Sequence, residues 1–137
     1  MIRKIEYLCV FLLGGTTYGV LEMLWRGFTH WSMVFAGGVC FLLIHLMNLG
    51  APGLKLITKC AIGSVLITGV EFFTGVGVNI VLRLDVWDYS ALPFNLLGQV
   101  CPQFMIVWFL LTCPACYLSG FIRKLFEKLL ERERRVA

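Results

Sequence analysis

The stretch "VLRLDVWDYSALPFNLLGQVCPQF", Val81 to Phe104, interrupts a chain that is otherwise close to pure hydrocarbon. It holds an arginine, two aspartates, a Trp-Asp-Tyr-Ser run, a proline, an asparagine and two glutamines. Whether it is a loop between two membrane helices or part of a soluble core decides the fold. Its flanks answer that. Cys60–Leu82 carries one charge, Glu71, and Leu96–Ile122 carries none. Further back, Tyr7–Trp25 carries one, Glu22, and Trp31–Leu49 none if His45 is neutral. Each run is at least as long as the roughly 17–25 residues that a spanning helix needs.

Composition points the same way. The chain has 137 residues, 59% of them hydrophobic, with a mean hydropathy of +0.85. A soluble fold of this length lacks the interior to hide that much apolar surface. In lipid the backbone must bond within itself, and the runs are too long for barrel strands, so they read as helices. The expected fold is all-α: one integral membrane domain over 1–137, a four-helix bundle with spans of about 7–25, 31–49, 60–82 and 96–117. A polar outer loop joins the last two. After the fourth span, "FIRKLFEKLLERERRVA" places Ile122, Leu125, Phe126, Leu129 and Leu130 on a helical stripe. It is expected to form a separate amphipathic helix, about 119–135, lying on the anionic cytoplasmic leaflet. The apolar start continues past Gly14 and Gly15 to Trp25 with no A-x-A-like site, so it reads as a span rather than a cleaved leader.

Orientation follows from Lys and Arg. Arg3, Lys4, Lys55, Lys59 and six cations from Arg123 to Arg135 fall on one side, and Arg26 and Arg83 on the other. The positive-inside rule then puts both termini in the cytoplasm of a multi-pass cell-membrane protein. The bilayer is the first expected partner. Four spans make a thin pathway, so a homo-oligomer is expected. Nothing in the chain supports nucleic-acid binding.

Polar residues inside the spans carry the functional signal. Glu71, Gly75, Asn79 and Arg83 recur every four residues, giving one stripe along the third helix, with Ser64 and Thr68 continuing it. Such a stripe faces other helices or a water-filled space. Glu22 and Arg26 form an i,i+4 pair near the end of the first span. Asp85, Trp87, Asp88, Tyr89 and Ser90 lie in the loop, and Asn95, Gln99 and Gln103 line up at four-residue spacing as the fourth span begins. The expected substrate- or ion-binding set is therefore Glu22, Arg26, Glu71, Asn79, Arg83, Asp85, Trp87, Asp88, Tyr89, Ser90, Asn95 and Gln99. For each, a packing role is the competing reading: Glu71 as interhelical glue, Glu22–Arg26 as an end anchor, the aromatics as an interfacial belt. His45 reads as a hydrogen-bonded bundle residue.

No cofactor or metal is expected, because no zinc-ligand spacing occurs. There is no P-loop, G-x-S-x-G or H-E-x-x-H sequence. Cys113 and Cys116 form Cys-Pro-Ala-Cys, which with four spans is similar in outline to the vitamin K epoxide reductase type. That pair faces the reducing side, and the loops hold no shuttle cysteines.

"YGVLEMLWRG", "GVEFFTGVGVNIVLRLDVWDYS", "PFNLLGQVCPQF" and Trp108 together resemble the "putative ABC-transporter type IV" (CmpB-like) family, related to the transmembrane protein 229 group. The motif positions matched are Glu22, Arg26, Glu71, Arg83, Trp87, Asp88, Tyr89, Ser90, Asn95 and Gly98. The resemblance implies a small permease-like protein and, if the ABC label holds, an ATPase subunit on a separate chain; it assigns no residue a chemical role. The expected function is a transporter or channel-like component with a buried Glu/Arg/Asp site open to the outer face. The alternatives are a membrane-embedded enzyme acting on a lipid or polyprenyl substrate, and a non-catalytic adaptor.

Overall fold

The computed structural model describes residues 2–136 and is all-helical. Helix α1 spans Ile2–Arg26, α2 Trp31–Gly50, α3 Leu56–Gly75 and α4 Pro102–Val136. Directly after α3 the chain widens into a π-helical segment, Val76–Val81. All four helices are long and apolar enough to cross a membrane, the third counted through Val81 and the fourth from Pro102 to Glu133. The protein is a multi-pass membrane bundle.

Its surface confirms the solvent. Leu24, Trp25, Phe35, Ile57, Val65, Phe73, Ile106, Leu110 and Phe121 are all more than half exposed, while Glu6, Glu22, His45, Lys59 and Glu71 are buried. Such an arrangement would be costly in water, and suits hydrocarbon outside and satisfied polar groups inside.

Local chemistry sets the helix ends. Gly27 (φ 77°) terminates α1, its N–H bonding Met23 O at 2.9 Å, a left-handed cap that glycine adopts without strain. His30 caps α2: its Nδ1 accepts from Ser32 N–H at 3.3 Å. Pro102 opens α4, where its missing N–H would have no partner anyway.

The helices pair as two hairpins, α1 with α2 and α3 with α4, and α2 also touches both α3 and α4. The α1–α2 seam is very close. A Cβ on Gly14 would lie 2.5 Å from Phe41 Cβ, one on Gly15 2.6 Å from Val34 O, and one on Gly37 would collide with the Tyr18 side chain. Contact between α1 and α4 is slight.

The C-terminal expectation is corrected. There is no separate amphipathic helix on a leaflet; α4 runs unbroken from Pro102 to Val136, through Pro114, and is itself the fourth candidate span. The physical cause lies in the stripe. Ile122 is buried with Val10 and Phe41, with Phe126 packed alongside, and Arg123 turns back to bond Glu6 on α1. These contacts hold the segment against the bundle. At about 1.5 Å per residue the helix is about 50 Å long, beyond a hydrocarbon layer of about 30 Å. The fourth helix also starts at Pro102 rather than Leu96. Residues 96–100 form a tight turn instead, with Gln99 N–H bonded to Leu96 O and Leu96 N–H to Val100 O. Met1 and Ala137, the ends of the expected domain, lie outside the described residues, as do the side chains of Arg134 and Val136.

Replacing Gly37 by Ala should force α1 from α2 and lower stability by about 1–3 kcal/mol. Gly69→Ala, where an added Cβ meets nothing within 4 Å, should not. Helicity followed through a denaturing-detergent titration compares the two.

Candidate functional site

The polar groups sort into two clusters, one at each end of the bundle. The first is built where α1, the π segment and the 82–101 loop meet. Glu71, 5% exposed, projects from α3 and accepts two hydrogen bonds. One comes from Trp108 Nε1–H on α4 at 2.8 Å, the other from the Tyr89 hydroxyl in the loop at 3.1 Å. Tyr89 is fixed by stacking on Phe104, 4.6 Å between centroids. Burial above all, and then the Glu71 carboxylate, pushes the Tyr89 phenol up, which keeps it a donor. Among the described residues none of the ion pairs involves Glu71.

Glu22 is satisfied separately. It accepts from Arg26 Nη2 at 2.6 Å and from Thr29 Oγ1 at 2.9 Å. Arg26 also donates through Nη1 to Val86 O at 3.0 Å and lies 4.7 Å over the Phe28 ring. The ion pair thus clamps the start of the loop onto α1.

Asn79 and Gln99 form the hinge between helix and loop. Asn79 accepts from Val86 N–H at 2.7 Å and donates to Gln99 Oε1 at 2.8 Å. Gln99 O accepts from Trp87 Nε1–H at 3.0 Å, and Gln99 Nε2 donates to Leu97 O at 2.9 Å. The approach depends on Gly75, where an added Cβ would sit 2.5 Å from Gln99 Oε1 and 2.9 Å from the Trp87 ring.

The rest of the loop shapes itself. Asp88 accepts from Ser90 N–H at 2.8 Å and Ser90 Oγ at 2.9 Å, and those bonds, the backbone one first, hold its carboxyl below the usual carboxylate range. Asn95 donates to Ser90 O and Leu92 O and accepts from Gly98 N–H at 2.9 Å. Asp88, Ser90 and Asn95 are therefore turn-forming residues set apart from the Glu71 carboxylate.

Arg83 and Asp85 do not join the site. Both are exposed, with φ of 55° and 48°. The stripe of four-residue spacing holds through Asn79 and then fails. Leu82 N–H reaches back five residues to Gly77 O at 3.0 Å, and the wider turn rotates every later side chain away from the helical register. Gln103 is likewise exposed on α4.

Trp108 was not among the expected site residues, although an indole N–H inside an apolar run needs an acceptor, and that is the signal for it. Tyr18 was missed too. With Phe41, Trp87 and Trp108 it surrounds a cavity of about 230 Å³ that reaches Glu71. The lining residues that are exposed, among them Thr17, Leu21, Leu111, Pro114 and Leu118, lie on α1 and α4. The cavity therefore opens sideways, through the seam where those helices barely touch.

In the second cluster, near the chain ends, His45 is the hydrogen-bonded bundle residue expected, but its partners were missed. His45, fully buried, lies with Nε2 3.2 Å from Glu6 Oε1 and Nδ1 2.9 Å from Ser119 Oγ. Asn48 donates to Ser119 Oγ at 3.2 Å and Cys116 O at 3.1 Å, and accepts from Lys59 Nζ at 2.5 Å. Arg123 Nη1 donates to Glu6 Oε2 at 3.1 Å. All four helices contribute. Their residues are scattered along the chain, so spacing could not join them.

Cys113 and Cys116 are free thiols within α4. Among the described residues no group of three or more His, Cys, Asp or Glu side chains could hold a metal ion.

Residues 5–136 match the family described as "Putative ABC-transporter type IV". The chain belongs to this family. No curated protein matches the chain, and no solved structure does. Family membership thus covers both polar clusters and the cavity between them.

Two stability tests follow. Asn79→Leu should cost about 1–3 kcal/mol by orphaning Val86 N–H and Gln99, whereas Arg83→Ala and Asp85→Ala should stay within about 0.5 kcal/mol. At the other end, Glu6→Ala removes the buried acceptor shared by His45 Nε2 and Arg123 Nη1 and should cost about 3–5 kcal/mol, against at most about 1 kcal/mol for Glu127→Ala, an exposed partner of Arg123 Nε. Thermal unfolding in one detergent ranks all five variants.

Proposed function

We propose that this chain is a small transporter component whose substrate or coupling-ion site is centred on Glu71. One observation carries the reading: a buried carboxylate, held by neutral donors alone, borders a cavity that opens sideways from the bundle. Ionisable groups at such depth are costly and mark pathways in membrane proteins. Packing alone would be served equally well by a neutral amide. The family's transport label agrees.

In this reading Glu22, Arg26, Asn79 and Gln99 position the loop that carries Tyr89, and Tyr89 with Trp108 aims the carboxylate. The two hairpins are the natural moving parts, because α1 and α4, which meet between them, make only slight contact. Exposed Phe94, Leu96 and Leu97 let the loop tip dip into the outer interface. The Lys and Arg asymmetry supports a topology with both termini on the cytoplasmic side of the cell membrane. Four helices enclose little volume, so the working unit is a homo-oligomer, joined by a separate ATPase subunit if transport is ATP-driven.

Proteoliposomes offered a panel of small cationic, anionic and neutral amphiphiles should show flux of at least one class. Glu71→Gln should reduce that flux on the order of tenfold or more with helicity unchanged, as expected when an essential charge is removed. Trp108→Phe, which deletes one donor and keeps the carboxylate, should fall between the two. A panel crossing no faster than through empty liposomes would sink the reading.

A further inference from the structure

We propose that the cavity binds a single-chain organic cation, an alkylammonium whose head group meets Glu71 and whose tail leaves through the α1–α4 seam into the bilayer. The inference rests on the transporter reading and names the substrate class of that same site.

Three features of the cavity point to this chemistry. The first is charge. Among the described residues that line it, Glu71 is the one ionisable acid or base of ordinary strength, with no Lys, Arg or His beside it. A bare carboxylate in so dry a place is costly unless a proton or a cation neutralises it. The nearest arginine, Arg26, is already engaged by Glu22 and Val86 O. Two donors on two carboxylate oxygens also leave acceptor capacity free.

The second is the wall. Tyr18, Phe41, Trp87 and Trp108 all line the space, with the Tyr18 and Trp108 rings 6.0 Å apart and tilted by 44°. Aromatic faces around a carboxylate are the arrangement that recognises a quaternary or substituted ammonium. The same walls offer an anion no N–H or guanidinium, since both indoles are already spent on Glu71 and on Gln99 O.

The third is size and exit. About 230 Å³ is less than the roughly 300–1,000 Å³ of a pocket that encloses a drug-sized ligand. A head group fits inside and a long tail does not. The exposed lining residues on α1 and α4, Leu21, Leu111 and Leu118 among them, give the tail an apolar path outward.

The test uses the full chain in zwitterionic nanodiscs, with Trp25→Phe and Trp31→Phe so that fluorescence reports on Trp87 and Trp108. Both replaced tryptophans are exposed. Decyltrimethylammonium, decanol and decyl sulfate share one tail length and differ in head charge. The cation should bind saturably, about tenfold or more tighter than decanol, with decyl sulfate weaker still. Glu71→Gln should bring the cation to the level of decanol. Leu111→Phe, which narrows the mouth without adding a third tryptophan, should weaken cation and alcohol together. Equal binding of cation and alcohol would mean a tail-binding groove and overturn the proposal. Tighter binding of the sulfate would overturn it too. If all three fail while some other compound shows Glu71-dependent flux, the cation assignment falls and the transporter reading stands. If flux is absent as well, both fall.

Discussion

The pair of hydrogen bonds that Trp108 and Tyr89 give to Glu71 is the contact on which the loop end of the protein depends. It ties α4 and the 82–101 loop to the C-terminal part of α3 through one carboxylate. In hydrocarbon no water can replace a missing donor, so these bonds are obligatory in a way that they would not be at an aqueous surface. They also dictate the neighbourhood. To bring Tyr89 within reach, the chain must leave α3 at a wide angle and turn back. The π segment, Asn79 and Gln99 accomplish this, and Gly75 leaves the space for it.

The bundle is thus pinned by polar groups at both ends and packed by small residues between. Near the termini, Glu6, His45, Ser119, Asn48, Lys59 and Arg123 link all four helices in one chain of contacts. Apolar surface contributes little to helix association in lipid, because tails are as apolar as leucine. Close glycine packing along α1–α2 and these buried networks must therefore do what a hydrophobic core does in water. Among the described residues the α1–α4 seam has a polar tie at the terminal end alone, and away from that end the side of the bundle stays open beside Glu71.

Four spans, their order and the placing of a carboxylate, Glu71, inside the third were legible in the sequence because they depend on local quantities: length, hydropathy and charge along the chain. Glu22–Arg26 was legible for the same reason, as an i,i+4 pair on one helix. The end of α4 was not. Amphipathic periodicity in 122–130 is identical for a helix on a leaflet and for one packed on a bundle, and Val10, Phe41 and Glu6 settle which it is. Arg83 misled because the four-residue rule presumes an unbroken α-helix, and one wide turn displaced it.

The sequence by itself determined that this is a helical membrane protein with a carboxylate buried in its third span. Hydropathy and charge are properties of each residue in place, and the bilayer acts on them one helix at a time. Tertiary structure alone decided which donors meet Glu71, that Glu6 and His45 share a second cluster, and that a cavity opens between α1 and α4. Those relations join residues as far apart as Glu6 and Arg123. They are fixed by how helices cross, a matter of packing shape that no local spacing encodes.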